Sequence, residues 1–521
     1  MPFNAQNVDT GTEVVIGLVG AVGTELTRVM QFVEQHLSLY KYNTRKIKIS
    51  EEIISSIFPH QEFGRDQYQR ISTYMDMGNK ARKESCDFSI LALGAAEAIL
   101  NAREKDSNED VMPRFKQAYI IDSLKHPAEV AKLRWLYPNG FYLIGVYASE
   151  QRRREYLTND LQIAPENADK LIHRDMNENE KYGQQTRDAF QMSDFFVEWN
   201  GNDDQLKHDL WRVIDLIFGH PFLTPTFEEF AMFMAFTSSL RSADLSRQVG
   251  AVIANNKSEI ISMGANDCTK FGGGLYWPHY DQTKTQIIDD VDGRDYKRKC
   301  DSNKVQLNKM IDELLDEIDE DDLKDPSIDS EATLNVALIK EKLRSKILHS
   351  PIKNITEYGR VVHAEMEAIL MCARNNISTK GTTLFCTTFP CHNCAKHIID
   401  AGIEKVIYIE PYPKSKAFDF HSECITALEG DQNKVEFLPF VGIGPRKFFD
   451  LFSMTYGSGY AKKRKEENGK AIEWTCDDGK VRVPLVPVSY LDLELIATNN
   501  FDELRRRISD GSIKKASEIQ Q

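Results

Sequence analysis

The stretch Glu13-Val-Val-Ile-Gly-Leu-Val-Gly-Ala-Val-Gly23 leaves a chain few folds to choose from. Its apolar run shows no alternation, which suits a strand buried on both faces, and the glycines that follow mark a tight turn. Leu26, Val29, Met30, Val33 and Leu37 then fall at helical spacing. Further strands are expected in RKIKIS, in QAYIID ending at Asp122, in FYLIGVYA (141–148) and in DFFVEW (194–199). Helices fit between them, one of them HPAEVAKLRWLY with Pro127 near its start. Alternating strand and helix predicts an α/β domain over residues 1–220 with a mostly parallel sheet covered on both faces.

HPFLTPT carries two prolines in seven residues and predicts a linker at 221–226. A second α/β domain is expected over 227–455. It opens with a helix and two strands, QVGAVIAN and EIISMGAN, and is interrupted by a helical insertion at about 267–355. It resumes with helix HAEMEAILMCAR, strand GTTLFCTTF, helix CHNCAKHIIDAG, strand EKVIYIE and a strand near KVEFLPFVGI. Residues 456–521 read as a C-terminal extension with a basic run, AKKRK, a hairpin in WTCDDGKVRVPLV and a last amphipathic helix, FDELRRRIS.

The chain is long enough, at 521 residues, for two or three cores. Its net charge of −14 disfavours broad electrostatic binding to nucleic acid or anionic membrane and points to a small-molecule substrate. No apolar run approaches the ~18 to 20 residues that span a bilayer. The N-terminus lacks the pattern of a secretory signal, so a cytoplasmic location is expected. In a reducing compartment, closely spaced cysteines bind metal or do chemistry more often than they form disulfides.

Of the nine cysteines only Cys391 and Cys394 form a close pair, in TTFPCHNC. Alone they fit a redox pair, a structural zinc knuckle or part of a catalytic metal site. A knuckle needs a second pair, which is lacking, but the preceding helix begins VVHAEME and offers His363 as a third ligand. One nitrogen and two thiolates leave a tetrahedral zinc one open position, the arrangement of a catalytic site. Pro390 sits where a helix start tolerates it, and Cys391 and Cys394 at i and i+3 share a helical face near a favourable dipole. Glu365 is placed to shuttle protons.

This H-x-E … P-C-x-x-C pattern resembles the zinc-dependent nucleobase deaminases. The resemblance implies a cytidine-deaminase-like α/β/α domain, one catalytic Zn²⁺ on His363, Cys391 and Cys394, and Glu365 as the acid and base. RSADLSRQVGAVIANNKSEIISMGAND resembles the deoxycytidylate deaminase branch, which implies a nucleotide contact at Asn266. EPYPKSKA offers Lys414, Ser415 and Lys416 as phosphate donors. Cys268, His279 and Cys300 flank the point where that branch can carry a second, structural zinc, but their loose spacing favours ordinary buried cysteines.

The whole chain resembles the bacterial anti-phage dCTP deaminases, which join such a domain to an N-terminal P-loop-kinase-like domain. The resemblance implies deamination of dCTP, dCMP or both, depletion of cytosine deoxynucleotides during phage infection, a homo-oligomer, and regulation by a nucleotide or an inhibitory small RNA. A housekeeping dCMP deaminase, or an RNA- or nucleotide-binding regulator with a deaminase fold, is the alternative. A Walker loop reads G-x-x-x-x-G-K-[ST]. With Gly20 as its first glycine, the second glycine is Glu25 and the lysine is Leu26. Gly20, Gly23 and Thr27 remain as nucleotide-binding candidates, phosphoryl transfer is not expected, and Arg152, Arg153 and Arg154 are candidates to receive RNA.

Overall fold

The computed structural model describes residues 12–104, 113–177, 182–318, 336–355, 357–412 and 414–510. The chain divides into two compact units, residues 1–229 with 441–521, and residues 230–440. The N-terminal segment read for a signal, the acidic run after residue 318 and Pro413 lie outside the described residues, the first of these up to residue 11.

The first unit is built on strands β1 (Val14–Gly20), β2 (Asn43–Lys48), β3 (Gln117–Asp122), β4 (Phe141–Tyr147) and β5 (Phe195–Glu198). They pair in parallel in the order β2-β3-β1-β4-β5. The absence of alternation in β1 now has its reason. Val15 and Val19 enter one core with Tyr119, Ile121 and Leu143, while Val14, Ile16 and Leu18 enter the opposite core with Ala118, Ile120 and Ile144. Both faces of the strand are covered, so both residue parities are apolar. Helix α1 (Leu26–Leu39) follows the glycine loop and buries Val29, Met30, Val33 and Leu37.

The tail is part of this unit, which corrects the expected boundary at 455 and the reading of 456–521 as a separate extension. The short strand Gly442–Ile443 adds antiparallel to β5. The helix Pro487–Ser509 brings Tyr490, Ala497 and Phe501 into the first core. Its Glu494 also meets the buried Arg103, which bonds Glu13 through Nε at 2.8 Å, and Tyr490 donates to Glu13 at 2.7 Å. A buried guanidinium holds only if it finds its partners, and Arg103 is shared between Glu13 of the first strand's entry and Glu494 of the tail, which ties the tail to this core. The hairpin expected in 474–486 is absent too. The amides of Lys480 and Arg482 instead bond the carbonyls of Phe218 and Ile217.

In the second unit β6 (Gly250–Ala254) and β7 (Ile260–Ala265) form an antiparallel hairpin with a bulge at Ile253/Ala254. Helix α2 (Ala364–Arg374) precedes β8 (Thr383–Thr388), and helix α3 (His392–Asp400) joins β8 to β9 (Lys405–Glu410). With β10 (Ile425–Thr426) and β11 (Val435–Pro439) the sheet order is β10-β11-β9-β8-β6-β7. Strand β8 is antiparallel to β6 and parallel to β9. Ala251, Ile253, Leu384 and Cys386 pack from one sheet face against Ala364, Ala368, Ala395 and Ile398 of the two helices. Gly264 sets how close α2 can come, since a Cβ there would lie 2.2 Å from the Ala364 carbonyl oxygen. The insertion between β7 and α2 carries the helices Ser302–Asp316 and Val336–His349, with a small core of Leu307, Ile311 and Leu315. Among the described residues, no single helix is long and apolar enough to cross a membrane.

Candidate metal centre

Strand β8 ends in a loop fixed on several sides. Phe389 donates its amide to the Glu410 carbonyl at 2.7 Å, Thr388 Oγ1 donates to Glu410 Oε2 at 3.1 Å, and Ser415 Oγ donates to the Pro390 carbonyl at 2.9 Å. The next residue, Cys391, is the N-cap of α3, and Cys394 lies in its first turn. His363 is the N-cap of α2. Two helix N-termini therefore meet at one point, where free amides and aligned dipoles favour thiolate.

His363 Nδ1 lies 3.4 Å from Cys391 Sγ and 3.3 Å from Cys394 Sγ. A tetrahedral zinc, with Zn–S of about 2.3 Å and Zn–N of about 2.0 Å, requires S···N separations of about 3.5 Å. The donor set and its spacing fit that ion. Hydrogen bonding from Cys394, with His363 on the other side, holds the Cys391 thiol down at about 3. Cys394 is pushed up by its bond to Cys391 and by burial. Glu365, two residues into the same helix, is buried, and burial raises its pKa above the usual carboxylate range. Cys386 is fully buried in β8, and burial pushes its thiol well up, as suits a core side chain rather than a ligand.

The other expected contacts divide. Asn266 is buried, and its side chain is used by the fold: Oδ1 accepts from Val249 N at 2.6 Å and Nδ2 donates to the Arg247 carbonyl at 2.8 Å. Lys414 is exposed. The Ser415 hydroxyl is committed to the cysteine loop, and Lys416 pairs with Asp419. A residue missed in the sequence is Arg247, whose guanidinium lies 4.6 Å from the centroid of the Tyr412 ring and tempers, without reversing, the rise that the bond to Cys391 gives the His363 pKa. It stands within the RSADLSRQVGA stretch, but nothing local in that stretch aims it at Tyr412.

The second metal group does not assemble. Among the described residues, only His363, Cys391 and Cys394 form a cluster with metal-ligand spacing. Cys268 is buried in a different network, with its Sγ 3.6 Å from Asp295 Oδ1, and burial pushes its thiol up to about 11. Neighbouring Asp267 pairs with Arg294, which also reaches Asp289, and Asp295 pairs with Arg360.

In the first unit, Gly20, Gly23 and Thr27 line a cavity of about 250 Å³ together with Asp122, Lys125 and Asp175. Gly23 has φ 86°, and a Cβ there would lie 2.9 Å from the Arg153 carbonyl, so the loop needs glycine at this point. Glu25 takes a left-handed conformation and pairs with Arg152 at 2.6 Å. The three arginines do not form a free basic patch. Arg152 pairs with Glu25 and lies over Trp199, Arg153 is buried and donates to the Val22 carbonyl, and Arg154 pairs with Asp169.

Residues 225–410 match the family model of the cytidine and deoxycytidylate deaminase zinc-binding region, a family that implies Zn²⁺. The deoxycytidylate deaminase of Enterobacteria phage T4 is 49% identical over 55 residues, 11% of this chain and 28% of that protein. The Homo sapiens deoxycytidylate deaminase is 24% identical over 181 residues, 35% of this chain and 63% of that protein. The chain thus spans less than a third of the phage relative and under two thirds of the human one. A crystal structure of the dCMP deaminase from cyanophage S-TIM5 in complex with dCMP and dUMP aligns at 20% identity, covering 42% of this chain and 99% of that chain, with a TM-score of 0.22.

Proposed function

We propose that the second unit hydrolyses the 4-amino group of deoxycytidine nucleotides, dCMP, dCTP or both, to give the uracil nucleotide and ammonia. The observation that carries this reading is the convergence of His363, Cys391 and Cys394 within 3.4 Å beside the buried Glu365, inside a deaminase-family region. Zinc, when held by His363 Nδ1 and the two cysteine sulfurs, supplies a Lewis acid that lowers the pKa of water to about 7. Glu365 takes the proton of the attacking water and delivers it to ring N3, then carries a second proton to the departing amine. Water oxygen joins C4, the C4–N bond breaks, and ammonia leaves. Because Glu365 is buried, the protons it carries are kept from bulk solvent. Asn266 shapes the pocket by holding Arg247 and Val249, and Arg247 over Tyr412 offers a cation to substrate phosphate, with exposed Lys414 as a second.

The resemblance of the whole chain to the bacterial anti-phage dCTP deaminases extends this reading to a regulated enzyme that depletes cytosine deoxynucleotides in phage defence. In this reading the first unit is a P-loop-kinase-like domain that retains nucleotide contacts at Gly20, Gly23 and Thr27, and the cytoplasm is its compartment. A homo-oligomer and a small inhibitory RNA belong to the same reading, the RNA site lying elsewhere than the engaged Arg152–Arg154 run. The test is ammonia release across dCMP, dCTP, CMP, CTP and single-stranded DNA, with and without dTTP. Turnover confined to the free deoxynucleotides supports the proposal. Turnover of DNA alone, or of none of them by zinc-loaded protein, refutes it. Protection of bacteria from phage by the wild type but not by an inactive variant separates defence from housekeeping.

A further inference from the structure

The loop after β1 is occupied by its own protein. In a phosphate-cradling loop the backbone amides stay free for the ligand and a lysine of the loop supplies the charge. Here the Val22 amide donates to Asp175 Oδ2 at 3.0 Å. Asp175 comes from the helix Pro165–Asn177, 153 residues away in sequence, and its side chain is only 1% exposed. Its other oxygen accepts from Thr186 Oγ1 at 3.2 Å and meets Lys125 Nζ at 3.3 Å. Lys125 in turn donates to the Gly20 carbonyl at 2.7 Å. A lysine and a carboxylate from outside the loop thus stand at the place where a phosphate and its counter-charge would lie.

The cavity beside them has two chemistries. Ile71, Tyr74, Met75 and Leu91 supply apolar and aromatic wall, while the loop amides, Lys125 and Asp122 supply polar wall. Asp122 ends β3, and its Oδ1 is shielded from solvent and accepts no hydrogen bond. An orphaned buried acceptor is costly and fits a donor brought by a ligand, such as a sugar hydroxyl or a base amino group. The cavity also opens where β1 lies between β3 and β4, the point at which the strand order reverses and α/β sheets bind ligands.

Charge sets the ligand class. With Leu26 in place of the loop lysine and Glu25 added, the loop brings no cation of its own, and among the described lining residues the cations are Arg82 and Lys125. Arg82 is consumed by Glu129 at 2.7 Å. Lys125 remains, enough for one phosphate.

We propose that this cavity is a nucleoside monophosphate site in which Lys125 replaces the missing loop lysine and Asp175 holds the phosphate position until the ligand displaces it. It rests on the first unit being a nucleotide domain and not on the deaminase reading. The ligand's phosphate takes the Val22 amide and Lys125, Asp175 swings away, and the nucleoside lies against Tyr74 and Met75 with a donor toward Asp122.

The two charged residues have opposite signs of effect. Full-length, zinc-loaded protein is titrated with AMP, GMP, UMP and ATP by calorimetry, in the wild type, Lys125→Ala and Asp175→Asn, and the zinc-free Cys391→Ser variant is titrated alongside them to exclude binding at the metal centre. Lys125→Ala is expected to weaken monophosphate binding by about tenfold or more, the loss of one charge-assisted bond. Asp175→Asn is expected to tighten it severalfold, a gain that a merely damaged fold does not produce, and Cys391→Ser leaves it unchanged. ATP binds no tighter than the monophosphate. If a monophosphate binds the wild type yet neither Lys125→Ala nor Asp175→Asn alters it, the assignment of these residues is wrong while the nucleotide reading survives. If none of the four binds the wild type or Asp175→Asn, both are wrong.

Discussion

Two loops in this molecule have the same local grammar and opposite chemistry. In each, a buried strand runs into a short loop that opens a helix: Val14–Gly20 into Leu26–Leu39, and Thr383–Thr388 into His392–Asp400. At the second loop the helix start is left to Cys391 and Cys394, and a second helix brings His363 to face them. At the first, the loop amide at Val22 is taken by Asp175 and the added Glu25 by Arg152. A helix N-terminus is a general anion site. What it does depends on whether the chain leaves it open, and here one is left to a cluster of His363, Cys391 and Cys394 while the other is closed by an internal carboxylate.

The largest effect is expected at the open loop. Cys394→Ala removes one of three donors, and a three-donor zinc site loses metal and activity together. Metal analysis should read close to zero equivalents and ammonia release should fall to background. Retention of zinc and turnover would show that the cluster is not the metal site.

Next in size is the packing that makes the tail part of the first unit. Glu494→Ala removes one of the two carboxylates on Arg103 and leaves Glu13 as its partner, which is expected to cost about 2 to 3 kcal/mol in denaturant unfolding. A cost near zero would mean that residues 441–521 do not close that core.

The closed loop has a pH signature. Burial raises the Asp122 pKa to about 6, against the opposing pull of Lys48 and Lys125 and with help from Glu51. A carboxyl with a raised folded pKa binds a proton more tightly when folded, so stability falls as pH rises from about 4 to about 6 and stays lower above that. Asp122→Asn is therefore expected to stabilise the protein by roughly 2 to 3 kcal/mol at pH 7.5 and to change little below pH 4. Unfolding curves at both values check the sign, and equal effects at the two would contradict it.

The smallest effect belongs to Ser415. Its bond to the Pro390 carbonyl fixes the cysteine loop, so Ser415→Ala should lower stability by about 1 kcal/mol and loosen zinc, with KM for nucleotide little changed. A large rise in KM with zinc intact would restore Ser415 as a phosphate donor.

The same contrast explains what could be read in advance. The convergence of His363, Cys391 and Cys394 was legible because its parts are local: two cysteines three apart at a helix start, and a histidine at the start of the helix before. The two-sided core was legible because β1 carries no alternation. Arg247 over Tyr412, Asp175 on Val22 and Glu494 on Arg103 join residues 165, 153 and 391 positions apart, and no periodicity or cap signal marks either end. Cysteine near histidine at loose spacing left Cys268 undecided between ligand and core residue, because the sequence has no way to show that it faces Asp295. The Arg152–Arg154 run looked free because a charge run in sequence does not show its partners.

The central claim is that the second unit is a hydrolytic deaminase whose proton carrier is Glu365. Its most direct measurement compares ammonia release from dCMP and dCTP by zinc-loaded wild type and by Glu365→Ala of equal zinc content. The account requires the wild type to turn over at least one of them and the variant to lose about 10²-fold or more, the scale of a general acid–base group. A variant that keeps its zinc and also keeps wild-type turnover would contradict it.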